Sequence, residues 1–173
     1  MGSSAPAPEE SAGTRSLFRH TLATLAYRAG KVLRGAPEGF SGFRAGEKSR
    51  TPGQILAHLG DLLEWSGRLV ENGSDTWRAD WRPVPPQSWD QDVARFFAAL
   101  QALDNSLQGS QPLRTPANIL FQGPISDALT HVGQLAMLRR LAGSPVRSET
   151  MILSEIVAGR VGPDQAAPKR EFD

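Results

Sequence analysis

Four stretches of this chain carry apolar residues at three- and four-residue spacing, with glycine and proline between them. This pattern constrains the fold more than any other feature of the sequence. A period near 3.6 puts such residues on one helix face, and four one-faced helices bury those faces most simply against each other. In the first stripe, expected over 14–33, Leu17, Phe18, Thr21, Leu22, Leu25, Ala29 and Val32 recur, and Gly35 and Pro37 end it. The second opens on Thr51-Pro52-Gly53-Gln54, an N-cap threonine, a proline at the first helical position and a glutamine placed for a capping box. Ile55, Leu59, Leu62, Leu63, Leu69 and Val70 follow, and Asn72-Gly73 closes it. Ser88 and Gln91 form a second capping box before Val93, Phe96, Phe97, Leu100, Leu103 and Leu107. Gly123-Pro124 opens a fourth helix that runs to Leu141.

No segment alternates in the manner of a strand, and no repeat or long heptad is visible. The expectation is an all-α four-helix bundle over 14–145. Residues 1–13 read as a flexible tail, and 146–173 as a short helix over 149–158 followed by a tail wrapping the surface. The connections, at roughly fifteen residues, exceed what short antiparallel links need. They predict crossover loops or loops that cover a site.

Composition narrows the function. The chain has 173 residues, 39% apolar and 21% charged, enough for one ordinary core. With 19 basic and 18 acidic residues the net charge is +1, which gives no footprint for nucleic acid or a membrane surface. No apolar run is long enough to span a bilayer, and the first residues lack the basic and apolar regions of a secretory signal. The absence of cysteine removes disulfides, thiolate metal sites and a cysteine nucleophile. It suits a cytoplasmic location.

The three histidines are His20, His58 and His131. His58 lies at the edge of the second stripe and His131 on the core side of the fourth. A buried imidazole needs a partner for each ring nitrogen, which a hydroxyl or backbone carbonyl can supply as well as a metal. Asp127 lies four residues before His131, so one helix face presents a carboxylate and an imidazole to the same point. That spacing makes His58, Asp127 and His131 candidate ligands of one divalent ion, with positions left for water or substrate. An aspartate near a helix start also complements the helix dipole without any metal. His20 reads as peripheral. Gly133, mid-helix, suggests close approach of another helix or a ligand, and Arg139 and Arg140 suit the helix C-terminus. Trp65, Trp77, Trp81 and Trp89 read as packing and loop anchors around the second connection, able to line a pocket mouth.

The segment SDALTHVGQL, Ser126 to Leu135, resembles the His-x-x-x-His-Arg-Gly-Gln signature of the DinB-like (YfiT-like) metalloenzymes. GQILAHLGDLLEW resembles that family's second-helix motif with its single histidine. The spacing between the two motifs and the helix order agree over about 14–145, and GRVGPDQAAPKREFD is similar to the tail of one DinB-related subgroup. The resemblance implies a four-helix bundle of crossed connection order and a metal held by three histidines. His58 matches the second-helix ligand and His131 the later histidine of the signature. Asp127 stands in place of the earlier histidine, Val132 in place of the arginine, and Gly133 and Gln134 match. A carboxylate makes the site more anionic and harder, favouring manganese, iron or nickel over zinc by ligand type. Geometry decides more than type, so the four metals are not distinguished. Relatives include isomerases and S-transferases that use low-molecular-weight thiols. The resemblance therefore implies a divalent-metal-dependent transferase or isomerase acting on a small electrophilic substrate with a thiol cofactor, and a homodimer is compatible with it. The alternative is a non-catalytic bundle with a structural metal or a ligand site.

Overall fold

The computed structural model describes residues 8–73 and 81–172. Trp77 lies outside the described residues. Four long helices dominate: α1 (Pro8–Leu33), α2 (Pro52–Asn72), α3 (Trp89–Leu107) and α4 (Ser126–Leu141). The all-α class follows from the pattern as expected. α2 and α3 start where their caps place them. The Thr51 hydroxyl accepts the Gln54 N–H at 3.2 Å, and the Gln54 side-chain oxygen accepts the Thr51 N–H at 2.9 Å. Ser88 and Gln91 repeat the exchange at 3.4 and 3.2 Å. Each box satisfies two donors that a helix start otherwise leaves open.

α2 packs on α3 and α4, and α1 also packs on α3 and α4. Among the described residues, α1 and α2 occupy opposite corners of the bundle, as do α3 and α4. Two of the three connections therefore cross it, which is what their length allows. The stripes meet in one core, in which Leu22, Leu25, Leu59, Leu63, Phe96, Leu100 and Leu135 are fully buried. Leu17 does not join them. It is 68% exposed, because the buried face of α1 runs through Phe18, Leu22, Leu25, Ala29 and Val32 instead.

Three boundaries differ from the sequence expectation. α1 begins at Pro8, inside the stretch expected to be a tail. A proline is well suited to the first helical position, where the missing N–H has no partner to lose. The fourth helix does not open at Gly123-Pro124. A helical turn at Ala117–Leu120 runs into a wide, π-type turn at Phe121–Ile125, and α4 continues from it. Pro124 disfavours helical backbone in the residue before it, and Gly123 duly takes φ −85°, ψ −108°. The short helix expected over 149–158 is absent. Strand β1 (Ser148–Glu149) pairs antiparallel with β2 (Glu171–Phe172), and a single 3-10 turn spans Met151–Leu153. Glu149 decides this. Its carboxylate accepts hydrogen bonds from Tyr27 at 2.7 Å, Lys31 at 3.0 Å and Ser154 at 2.7 Å, which fastens the segment to α1 in extended form.

Two guanidinium groups, one buried and one partly buried, tie the loops to this frame. Arg95 on α3 donates to both Glu64 oxygens at 2.8 and 3.0 Å and to Asp61 at 2.7 Å on α2. Asp61 in turn accepts the Val84 N–H at 3.0 Å, which holds the second connection against α2. Gly60 makes room, since a Cβ there would sit 3.1 Å from the guanidinium carbon. Arg139, expected to serve the helix dipole, is buried and does more. It donates to the Val32 and Arg34 carbonyls at 2.8 and 3.2 Å and to the Ser144 carbonyl and hydroxyl at 2.9 and 3.0 Å, closing the ends of α1 and α4 together.

Arg139→Met removes all four bonds and leaves buried carbonyls unpaired. Unfolding in urea should show a loss of about 3 kcal/mol, as expected for charged donors to buried acceptors. Burial pushes the Glu149 pKa up, but the hydrogen bonds from Tyr27, Ser154 and Lys31 outweigh it and hold the group below its ordinary value of 4.5. The native state thus favours the carboxylate, and the gain is present above 4.5 and lost as pH falls through the lower, folded value. Unfolding free energy should decline in that acid range, with a shallower decline in Glu149→Gln.

Candidate metal centre

α2 presents His58 and α4 presents Asp127 and His131 across the interface where those helices pack. Asp127 and His131 share a face by their four-residue separation, and no side chain caps the start of α4, so Asp127 is not spent as a cap. Its carboxylate stands between the imidazoles. One oxygen lies 3.5 Å from His58 Nε2, the other 3.4 Å from His131 Nε2. One ligand atom from each residue falls within 4.8 Å of the others. Metal–ligand bonds of 2.0–2.1 Å in a tetrahedron separate neighbouring ligands by roughly 3.4 Å. The two carboxylate distances match that edge and exceed those of good hydrogen bonds.

The tautomer of His131 fits the same purpose. Its Nδ1 lies 2.7 Å from the Gln134 side-chain oxygen, an acceptor, so Nδ1 carries the proton. Nε2 is left with a bare lone pair directed at Asp127 and His58. His58 is also biased toward its neutral form. Burial, above all, pushes its pKa down, His131 and Arg50 add to this, and Asp127 opposes them. The two Nε2 atoms and the carboxylate therefore converge, and a neutral imidazole can offer a lone pair from one of its ring nitrogens. Such an arrangement suits a cation.

The surroundings are graded from dry to wet. His131 is buried, His58 is intermediate, and the Asp127 side chain is 48% exposed. Trp81 packs edge-on against His58 at 5.6 Å between ring centroids, and Trp65 backs Trp81 at 5.4 Å. Trp89 instead packs on Phe40 as a loop anchor. A cavity of about 500 Å³ reaches His131 and Gln134 between α4 and the first connection. Its walls are largely apolar, from Ile55, Met137, Leu138 and Leu141, and Arg50 stands at its edge. His20 is exposed on α1 and belongs to no such group. Gly133 meets no approaching helix, because nothing lies within 4 Å of the position a Cβ would take.

Sequence reasoning located the three converging side chains but not their supports. The Gln134 contact was readable as a His-x-x-Gln pair one helical turn apart. Arg50 carried no local signal, since the path of the first connection alone brings it near His58. No family model, curated protein or solved structure matches the chain. The resemblance to DinB-like proteins rests on the two helical motifs.

Gln134→Leu removes the acceptor that fixes the His131 tautomer. In metal-free protein, long-range proton–nitrogen spectra should change from one Nδ1–H form to a mixture of both tautomers. An unchanged spectrum would mean that Gln134 does not set the ring state.

Proposed function

We propose that the chain is a divalent-metal-binding protein of the DinB-like kind, using its metal to activate a thiol or water against a small electrophile. The observation that carries this reading is the convergence of His58 Nε2, His131 Nε2 and the Asp127 carboxylate on one point. A divalent ion held there supplies Lewis acidity and lowers the pKa of a thiol or water at the site. The chain's own residues do the rest. Gln134 keeps the His131 lone pair turned inward, as outer partners of ligating histidines do. Trp81 and Trp65 shield the His58 side and exclude water from it. The cavity beside His131 offers a largely apolar electrophile a place next to the ligands. Chemistry of this sort needs no protein nucleophile, which agrees with a chain that has no cysteine.

A non-catalytic reading, in which an ion only pins α2 to α4, rests on the same three residues. The half-exposed Asp127 and the adjoining cavity favour the reactive reading, because a purely structural site is closed by protein ligands.

Calorimetric titration of chelator-treated protein with zinc, manganese and nickel should give one site per chain. His58→Ala and His131→Ala should abolish it, while Asp127→Asn should weaken it at least tenfold. Absence of stoichiometric binding by every metal tried would sink the proposal. A rise in Tm of many degrees on loading, with no reactivity toward thiol and electrophile, would favour the structural role.

A further inference from the structure

A second cavity, of about 370 Å³, lies between α1, α4 and the segment that carries β1. Arg28 and Lys31 from α1, Arg140 from α4 and Arg147 line it, against one carboxylate, Glu149. In a chain of net charge +1 this is a marked local excess of positive charge. Glu149 does not offset it for the arginines. Its oxygens are taken by Tyr27, Ser154 and Lys31. Lys31 is held a second time, by Glu171 at 2.7 Å, and Arg147 stands 3.8 Å from the other Glu171 oxygen. Among the described residues, Arg28 and Arg140 have neither a carboxylate nor a carbonyl partner. Two exposed guanidinium groups from two packed helices, without an anionic partner among the described residues, thus stand at one cavity.

Most of the rest of the wall is apolar, with Val32, Val132 and Ala136 among its residues, beside Tyr27 and Ser148. Gly133 also lies on it, and the space where its side chain would be is empty to 4 Å. Glycine in mid-helix is unfavourable relative to alanine, and no neighbour here requires it. Its effect is to keep the cavity open along α4.

We propose that this cavity binds a small organic dianion. Arg28 and Arg140 hold a compact, doubly charged head, either a phosphate monoester or a dicarboxylate, since planar forks match both groups. The organic body lies on the valines and over Gly133. The site is independent of the metal reading, because none of His58, Asp127 and His131 lines it.

The test is calorimetric titration of the metal-free full chain, at low salt, with phenyl phosphate, phthalate and, as a neutral control, phenol. One saturable site is expected for at least one dianion and none for phenol, and the stronger of the two dianions identifies the head group. Affinity should fall as salt is raised. Arg28→Gln and Arg140→Gln should each weaken binding about tenfold, the loss typical of a charge-assisted contact. Both positions are exposed, and unchanged Tm values would show that the variants fold. Gly133→Leu should block the site with every charge kept. The proposal fails if neither dianion binds the wild type. It fails equally if binding survives unaltered in the double arginine variant or in folded Gly133→Leu.

Discussion

The packing of α2 against α4 is the contact on which the candidate site depends. These helices are separated in sequence by the whole of α3 and two connections, yet the site needs an imidazole from each within one coordination sphere. Apolar burial supplies the force. Leu59 and Leu63 on α2 and Ala128 and Leu135 on α4 have no exposed surface beyond about a hundredth, so the interface has little freedom to slide. His58 and His131 ride on its margin, where they inherit its precision while Asp127 keeps contact with solvent. A less tightly packed pair would leave the same three residues too loosely spaced to act together.

Arginine side chains tie helices and connections together once the core has set the helices. Arg95, Arg139 and Arg19 each lie in a partly desolvated position and each satisfies acceptors on a second element. Arg19 joins α1 to the buried Asp104 of α3 through paired bonds of 2.9 and 3.0 Å. Removing one partner from such a pair leaves a charge in poor solvent, which is far costlier than the pair's net worth. The arrangement favours one connection path over others of similar hydrophobic content. Through Asp61 and Val84 the same network constrains the stretch that brings Trp81 onto His58.

What could be read without coordinates divides by the range of the interaction. Helix periodicity and capping boxes are local, and they marked α2 and α3 closely. The i,i+4 placement of Asp127 and His131 is local too, and the apolar margin of α2 singled out His58. Features that depend on distant partners were not legible. Glu149 turns a stretch with helical spacing into an extended pair because Tyr27 and Lys31, on α1, claim its carboxylate. Arg139 looked like a dipole complement because nothing near it in sequence announces the Val32 and Arg34 carbonyls. The start of α4 was misplaced for a different reason. Gly-Pro signals a break in regular helix, and here the break at Gly123 lies between a preceding helical turn and α4, which opens only at Ser126.

That bend sets the course of everything after it. At Gly123 the backbone leaves helical values, so the direction of α4 is set by a kink and is not carried over from Ala117–Leu120. α4 starts afresh at Ser126, and its first turns carry Asp127 and His131 to the side that meets His58. Two residues that seem to mark only a loop boundary, Gly123 and Pro124, thus stand at the bend from which two of the three candidate ligands depart.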